Sequence, residues 1–312
     1  MVTSAALTVT SAFPFLSSCA ANPTIKGVGT QLFWLGEHLE NDLDGGFKLL
    51  SNIGYKEVQL YGPYSFSNEE SWKFWNEVAA PNLGFYGSGL FGRTPDDFAQ
   101  LLEKYDLSAK SLHSDLPNLE ENMPRFGELA DKLGIKYVVL PIIAPELRQN
   151  LDDFKRMADR FNRVGELAKQ EGLVFTYHNH GPGWTEIAGE KPARYIFDNT
   201  DPDLVKLELD IYWMIAAGED PVELLKSYEG RFVSLHLADM TEIKRFSGDG
   251  STWEEVIDMF EYITTPGSGK MNIQEMVETA AQSGVELFYL EQDPGGEIED
   301  RLRKSYEFLS SV

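Results

Sequence analysis

The sequence predicts an α/β protein, a single-domain (β/α)8 TIM barrel, and three observations support this prediction. Short, β-rich apolar runs alternate with helical patterns along the chain, and glycine separates several of the helices from the next run. The 312 residues suit one large barrel with insertions. Because strands that alternate with helices form right-handed parallel crossovers, all the strands should end at one rim, where barrels carry their catalytic groups.

Eight runs are the predicted strands. Each is short, rich in apolar and β-branched residues, and followed by a turn or a helical pattern. They are predicted at 26–33, 55–61, 108–113, 136–142, 174–180, 205–211, 232–238 and 286–291.

Helical patterns fill the intervals between the strands. Residues 94–105 begin with Thr94 as N-cap, Pro95 at the first helical position and two acids in the first turn. Apolar residues recur at helical spacing in 119–133 and 151–171. Four glycines are predicted to end helices in a left-handed conformation: Gly54, Gly134, Gly172 and Gly284.

Two longer connections interrupt this alternation. Residues 62–93 are rich in aromatic residues and glycine, and residues 239–272 include Trp253 and the turn Pro266–Lys270. Both follow strand ends, so we expect them to form walls or lids over the site. The turn lacks the spacing of a phosphate-binding loop and is predicted to be a tight lid turn.

The charge of the chain excludes one class of partner. Its 27 Lys+Arg against 50 Asp+Glu give a formal net charge of −23. Nucleic-acid binding depends on Lys and Arg neutralising phosphates, so the sequence predicts no nucleic-acid partner.

Residues 1–24 differ in composition from the rest. A largely apolar run leads to Leu16, Ser17, Ser18 and Cys19, followed by small polar residues, and this resembles a bacterial lipoprotein signal. A lipid on Cys19 would imply a periplasmic or membrane-anchored lipoprotein and would be the one membrane attachment. A secretory signal needs a positive n-region, whereas no Lys or Arg precedes Lys26. The alternative is a disordered leader on a cytoplasmic protein.

Metal-ligating side chains lie at the downstream ends of the predicted strands. Side chains in a strand alternate faces, so residues that converge must share a face. In 174–180, His178 and His180 share one face, and in three other strands the terminal polar residue opposes the apolar residues. The residues in this ring are His113, His178, His180, Asp210, His236 and Glu291.

Four members of the ring form a predicted site for one divalent ion. His178, Asp210, His236 and Glu291 supply two imidazoles and two carboxylates, a set that suits Mn²⁺, Co²⁺, Zn²⁺, Fe²⁺ or Mg²⁺, of which we favour Mn²⁺. His180 is the alternative to His178, because it shares its face. Such an ion leaves coordination positions open for a hydroxy-ketone and acts as a Lewis acid on its carbonyl.

The sequence resembles the sugar phosphate isomerase/epimerase superfamily, the xylose isomerase-like TIM barrels that include inosose dehydratase, ketose 3-epimerases and, more distantly, endonuclease IV. The likeness runs from about residue 25 to the end and is strongest in the second half. It implies that Asp210, His236 and Glu291 bind the metal. The matching strings are TyrHisAsnHis at 177–180, LeuGluLeuAspIleTyrTrp at 207–213, LeuHisLeuAlaAspMet at 235–240, ProGlySerGlyLys at 266–270 and LeuGluGlnAspPro at 290–294.

One departure from the superfamily affects the mechanism. Relatives usually carry Glu where this chain has His178, and the resemblance implies that 3-epimerases use two glutamates to remove and return a proton. Glu291 remains alone in that role here. The sequence therefore favours elimination or isomerisation, with Glu291 or a metal hydroxide as base and His180 or His113 as acid.

Other residues bear on the substrate. Ala238 stands where relatives often carry Lys, and Gln59 stands where they often carry Glu, which favours an unphosphorylated keto-sugar, inosose or keto-glycoside. The residues predicted to contact this small carbohydrate are Trp34, Gln59, Glu186 and Trp213. Glu208 shares the face of Asp210 and could orient a ligand.

The leading hypothesis is a divalent-metal-dependent isomerase or lyase of the dehydratase type, acting through an enediolate. The alternatives are a non-catalytic carbohydrate-binding barrel and a ketose epimerase. A phosphodiesterase of the endonuclease IV type would need more histidines and a basic groove, neither of which this sequence supplies. The sequence predicts no particular oligomeric state.

Overall fold

The predicted barrel is confirmed. The structure, a computed structural model, describes residues 25, 27–291 and 297–312, and the backbone but not the side chain of Trp253. The strands are β1 (Val28–Gln31), β2 (Glu57–Tyr61), β3 (Ser108–His113), β4 (Tyr137–Leu140), β5 (Val174–His178), β6 (Val205–Asp210), β7 (Phe232–Leu237), β8 (Asp239–Met240), β9 (Ile263–Thr264) and β10 (Leu287–Leu290). Eight of them are parallel and close into one barrel in the order β1, β10, β7, β6, β5, β4, β3, β2, whereas β8 and β9 form a separate two-stranded sheet.

Helices alternate with the strands and cover the outside of the barrel. They are α1 (Gly36–Asn41), α2 (Leu43–Ile53), α3 (Glu69–Phe74), α4 (Ala80–Leu83), α5 (Pro95–Lys104), α6 (Leu116–Glu121), α7 (Met123–Leu133), α8 (Leu151–Gln170), α9 (Pro192–Asn199), α10 (Ile211–Ala216), α11 (Pro221–Ser227), α12 (Trp253–Phe260), α13 (Ile273–Gln282) and α14 (Ile298–Ser311). Short 3₁₀ turns cover Leu32–Leu35 and Pro145–Leu147, and Trp75–Ala79 forms a π-helical turn.

The predicted helix signals are present in the structure. Thr94 Oγ1 accepts a hydrogen bond from the Asp97 N–H at 3.1 Å, so α5 begins at Pro95 as the sequence indicated. At the start of α8, the Asn150 and Asp153 side chains each accept from the other's backbone N–H. The four predicted glycine positions have φ between 73° and 123°, in the left-handed region.

Several strands are shorter than predicted, and local hydrogen bonding explains two of these differences. β1 ends at Gln31, because the Gln31 side chain caps the 3₁₀ turn that follows. β6 ends at Asp210, because its carboxylate accepts from the Trp213 N–H at 3.0 Å and so starts α10. β5 ends at His178 and β10 at Leu290, so His180 and Glu291 lie just beyond strand ends, where their orientation depends on a turn.

The turn Pro266–Lys270 wraps around a buried carboxylate. Asp239 Oδ2 accepts hydrogen bonds from the N–H groups of Gly267 and Gly269, both at 3.0 Å. Its Oδ1 accepts from those of Met240 at 2.8 Å and Met271 at 3.0 Å. A Cβ on Gly269 would lie 2.2 Å from the Met240 carbonyl oxygen, so the close approach requires glycine here. The N–H groups of Gly267 and Gly269 are therefore occupied by the Asp239 carboxylate.

The two ends of the connection 239–271 lie next to each other. β8 pairs antiparallel with β9, and the Lys270 N–H donates to the Met240 carbonyl at 2.7 Å. The predicted leader, 1–24 with Cys19, lies outside the described residues. None of the helices within the described ranges is long and apolar enough to cross a bilayer.

Candidate metal centre

Two unpaired ligand atoms face each other at the mouth of the barrel. His178 Nε2 lies 3.6 Å from Asp210 Oδ2, and each side chain is only 1% exposed. Neither atom has a hydrogen-bond partner among the described residues. A buried polar atom without a partner costs on the order of a few kcal/mol, so a pair of them at one point indicates a position suited to a proton or a cation.

His236 and Glu291 complete the mouth of the barrel. The strand register places Asp210 directly beside His236. His236 Nδ1 lies 2.9 Å from Glu291 Oε1, and Glu291 also accepts a hydrogen bond from the Trp34 side chain. One ligand atom each from Asp210, His236 and Glu291 lie within 4.8 Å of one another, and the same holds for His178, His180 and Asp210. Asp210 belongs to both groups, and its other oxygen is fixed by the α10 cap.

A buried carboxylate forms the floor beneath these ligands. Glu208 Oε1 lies 2.8 Å from His113 Nε2, 2.8 Å from His178 Nδ1 and 3.1 Å from His236 Nε2. Glu208 Oε2 accepts from Gln59 Nε2 and Ser234 Oγ, both at 2.7 Å. We call Glu208, Gln59 and Ser234 the floor. All three are at most 2% exposed.

The charges of the site depend on burial and on close neighbours. Burial and, to a smaller extent, the nearby His236 imidazole together lower the pKa of His178 to about 3. Burial raises the pKa of Asp210 well above its ordinary value, and the Glu291 carboxylate adds to that rise. Burial alone would raise the pKa of Glu208, but the imidazoles of His236 and His113 outweigh it and hold this pKa well below its ordinary value. The two mouth carboxylates therefore repel each other, and a cation between them would remove that repulsion.

The donor set fits a divalent cation at the mouth and not at the floor. A second cluster, His113, His178, Glu208 and His236, also has ligand atoms within 4.8 Å of one another. Its imidazole nitrogens already lie at hydrogen-bond distance from Glu208 Oε1, so they are satisfied. The unpaired atoms of His178 and Asp210 lie on the other side. His178, Asp210, His236 and Glu291 are the residues that could hold the ion, and imidazole with carboxylate suits several divalent metals.

Comparison with known proteins identifies the family. Residues 47–312 match the xylose isomerase-like TIM barrel family. The chain belongs to this family. An inosose dehydratase of Clostridium perfringens is 26% identical over 239 residues, which cover 68% of this chain and 80% of that protein.

Solved structures share the fold of this family member. A sugar phosphate isomerase/epimerase from Parabacteroides distasonis superposes with a TM-score of 0.69 and 24% identity, over 95% of this chain and 96% of that one. The IolI protein with a bound zinc atom gives a TM-score of 0.64 and 17% identity, over 92% and 97%. An L-ribulose 3-epimerase gives 0.62 and 11%, over 92% and 94%. At these identities the likeness concerns the fold.

The two remaining histidines of the predicted ring take different positions. His180 donates from Nδ1 to the Pro141 carbonyl at 2.7 Å, and its ring centroid lies 4.5 Å from that of His178. Burial holds its pKa well below the ordinary value, and the His178 imidazole adds to this effect. His113 lies lower, on the floor carboxylate, with its ring stacked 5.4 Å from His236. His180 is therefore at the mouth, whereas His113 is tied to the floor.

The residues predicted to contact substrate are not all at the mouth. Trp34 hydrogen-bonds to Glu291, and Trp213 lies 5.8 Å from His180 with one face stacked on Phe246. Gln59 is fully buried, and its amide hydrogen-bonds to Glu208, Ser111 and His236. Glu186 is exposed in the connection after β5. The geometry thus groups the two tryptophans with the candidate metal ligands and Gln59 with the floor.

The sequence pattern gave only partial evidence for the residues of the floor. Ser234 and Glu208 each share a strand face with a predicted ligand, and that alternation was the available signal. Ser111 accepts from Gln59 Nε2 at 2.9 Å. It shares a face with His113, which is not a predicted ligand, so the pattern gave less reason to single it out. The register pairs Gln59 with Ser111 and Glu208 with Ser234.

Proposed function

We propose that this protein is a divalent-metal-dependent isomerase or lyase that acts on a small carbohydrate. The observation that carries the proposal is the pair of buried, unpaired ligand atoms on His178 and Asp210, next to His236 and Glu291. The inosose dehydratase relatives and the sugar epimerases among the structural neighbours support an enzyme of sugar chemistry. The zinc atom of the IolI neighbour supports a metal in this fold.

The ligands proposed for the ion are His178, Asp210, His236 and Glu291. A bound ion would supply Lewis-acid polarisation of a substrate carbonyl, which acidifies the adjacent C–H. Glu291 is the proposed proton acceptor, since its carboxylate is 12% exposed at the mouth and is oriented by His236 and Trp34.

His180 is the proposed proton relay. Its Nδ1–H is committed to the Pro141 carbonyl, so the neutral ring presents the lone pair of Nε2 to the site. His180 can therefore donate a proton to a leaving group only after it has first accepted one. His113 is less suited to this role, because its Nε2 is held by Glu208 at 2.8 Å.

The arrangement favours isomerisation or elimination over symmetric epimerisation. Epimerisation of the two-glutamate type needs a second carboxylate opposite Glu291. Glu208 does not meet that need, because both of its oxygens are buried and hydrogen-bonded beneath the ligands. His178 stands beside the proposed ion at the position where the two-glutamate mechanism needs that second carboxylate.

An unphosphorylated keto-sugar, inosose or keto-glycoside is the proposed substrate class. Ala238, which follows β7 directly, is buried and carries no charge that could hold a phosphate. Trp34 and Trp213 offer aromatic surface beside the ligands, which suits the apolar face of a sugar ring.

A combined metal and activity test addresses the proposal. Protein stripped with a chelator should take up one divalent ion per chain from micromolar Mn²⁺, Co²⁺ or Zn²⁺. The loaded protein is then incubated with keto-sugars, inososes and 3-keto-glycosides in D₂O, starting with Mn²⁺. Loss of one water in the product mass indicates elimination, whereas an unchanged skeleton mass with solvent deuterium indicates isomerisation or epimerisation. Metal uptake without turnover on any of these would favour a non-catalytic binding protein, and no metal uptake would refute the centre.

The location of the protein is a separate proposal. We infer from the LeuSerSerCys string that Cys19 is lipidated and that the mature protein is anchored at a membrane outside the cytoplasm. Mass spectrometry of protein from its native host should find a lipid on an N-terminal Cys19. Recovery of an intact Met1 would instead favour an unprocessed leader on a cytoplasmic protein.

A further inference from the structure

The floor determines which nitrogen of each imidazole carries a hydrogen. His178 Nδ1 lies 2.8 Å from Glu208 Oε1, and an ionised carboxylate only accepts hydrogen bonds. Nδ1 therefore carries the hydrogen. Because a neutral imidazole has a single N–H, the lone pair of His178 is on Nε2, the atom that faces Asp210 Oδ2.

Glu208 also determines the tautomer of His236, because it orients the Gln59 amide that contacts this histidine. Gln59 Nε2 donates to Glu208 Oε2 at 2.7 Å and to Ser111 Oγ at 2.9 Å, which fixes the orientation of the amide. Its carbonyl Oε1 consequently faces His236 Nε2 at 2.7 Å, and a carbonyl oxygen only accepts. His236 Nε2 must carry a hydrogen, so the nitrogen available to an ion is Nδ1, beside Glu291.

We propose that Glu208, acting with Gln59, is a positioning residue that holds His178 and His236 in the two opposite tautomers that direct a free nitrogen toward the ion. This inference rests on the proposed metal centre. It explains why His178 offers Nε2 to the ion and His236 offers Nδ1. The hydrogen bonds that determine both tautomers start from the same buried carboxylate, that of Glu208. Carboxylates that orient metal-bound imidazoles change metal affinity typically by 10 to 100-fold when they are removed.

Replacing the carboxylate by an amide of the same shape should break this arrangement. In Glu208→Gln the new side chain has one oxygen and one NH₂. If the NH₂ takes the Oε1 position, it opposes the N–H groups of His113 and His178. If it takes the Oε2 position, it opposes the Gln59 NH₂, and a flip of Gln59 to relieve this would present NH₂ to His236 Nε2. Either orientation forces at least one ligand into the wrong tautomer.

Exchanging the two residues should restore the pattern. In the double variant Gln59→Glu with Glu208→Gln, the carboxylate moves to position 59, where it can accept from His236 Nε2 and from the new amide at position 208. The oxygen of that amide then accepts from His113 and His178. Charge and volume of the floor are unchanged. Gln59→Glu alone places two carboxylates in contact, at the 2.7 Å now spanned by a hydrogen bond, and should also weaken the site.

The test measures metal affinity without any substrate. Dissociation constants for Co²⁺ and Mn²⁺ are measured by equilibrium dialysis for the native protein, both single variants, the exchange variant and Glu57→Gln. The last is a matched control, because Glu57 also lies in a barrel strand but bonds to Ser108 and not to a histidine. We expect each single variant to bind at least about tenfold more weakly, the exchange variant to recover most of that loss, and the control to bind like the native protein.

A spectroscopic readout separates positioning from general damage. Long-range ¹H–¹⁵N spectra of the metal-free protein should report a hydrogen on Nδ1 of His178 and on Nε2 of His113, and this pattern should change in Glu208→Gln while circular dichroism stays native. Native affinity and a native tautomer pattern in Glu208→Gln would overturn the inference, as would additive losses in the exchange variant. Failure of the native protein itself to bind an ion would refute the proposed metal centre instead, so the two failures are distinguishable.

Discussion

His178 Nε2 and Asp210 Oδ2 face each other across 3.6 Å, both buried and both without a hydrogen bond in the part of the chain that the structure describes. The strands that carry them are neighbours in the barrel, so this approach is fixed by the sheet and not by a flexible loop. Such a pair is stable only if a proton or a cation lies between the two atoms. A cation bound between these two atoms would therefore stabilise the site.

The first prediction decides between His178 and His180 as the ligand. His178→Ala should weaken divalent-ion binding by on the order of 100-fold or more. Removing a residue that only hydrogen-bonds to a metal ligand already lowers metal affinity by about 10 to 100-fold, and the loss of a ligand should cost at least as much. His180→Ala should retain most of the affinity, because the unpaired atom 3.6 Å from Asp210 Oδ2 is Nε2 of His178 and not a nitrogen of His180. Titration calorimetry with Co²⁺ measures both. A larger loss in the His180 variant would reverse the assignment.

The second prediction concerns Glu291. Glu291→Gln should lower turnover by roughly 100-fold or more, the usual contribution of a positioned acid or base, while circular dichroism remains native. Glu299→Gln is the control, because Glu299 is exposed on α14 and pairs with Arg303. Both variants are assayed on whichever keto-sugar the native protein converts. Undiminished turnover in Glu291→Gln would exclude the carboxylate as the base.

The third prediction concerns the carboxylate inside the Pro266–Lys270 turn. Asp239→Asn leaves one oxygen for four backbone N–H donors, and its NH₂ would oppose two of them. We expect a loss of roughly 3 kcal/mol in the free energy of unfolding, since buried hydrogen bonds to a charged group are worth about 1.5–3 kcal/mol each. Asp258→Asn, an exposed position on α12, should change stability by less than about 0.5 kcal/mol. Urea unfolding compares the two, and equal stabilities would contradict this account.

The fourth prediction is a pH dependence at Glu57. Burial raises the pKa of Glu57 above its ordinary value of 4.5, and the hydrogen bond from Ser108 only partly offsets this. The folded protein thus holds this proton more tightly than the unfolded chain. The contribution of Glu57 to the free energy of unfolding must fall as pH rises from its ordinary pKa to its raised pKa, and it stays constant above that.

Glu57→Gln removes that penalty, because the amide has no charge to bury. The variant should therefore melt at a higher temperature than the native protein at about pH 8 and at nearly the same temperature at about pH 4, where Glu57 is protonated in both states. Thermal melts followed by circular dichroism at the two pH values provide the comparison. A difference that is larger at the acidic pH has the wrong sign for this explanation.

The barrel could be predicted from the sequence because its signals are local. The alternation in residues 174–180, the Thr94 cap and the glycines after helices each depend on a few neighbouring residues. The exact strand ends could not be predicted in the same way. Asp210 is the last residue of β6 and also caps α10, so its place in the sequence is compatible with either element.

The contacts within the floor could not be predicted from the sequence, for a different reason. Gln59 and Glu208 are 149 residues apart, and their contact depends on the register with which β2 and β6 face each other across the closed barrel. Periodicity assigns a residue to a face but not to a depth. Gln59 was accordingly predicted to contact substrate, whereas the structure places it beneath His236 with every polar atom engaged in the protein.

The paired β8 and β9 with the Asp239 carboxylate also have an evolutionary consequence. Because the polypeptide departs and returns at adjacent points held by five backbone N–H groups, the stretch between them can be exchanged without refolding the barrel. A doubling of such a stretch costs only about 0.6 kcal/mol in closure entropy. Insertions that lengthen this connection in a homologue should therefore leave the barrel strands in place.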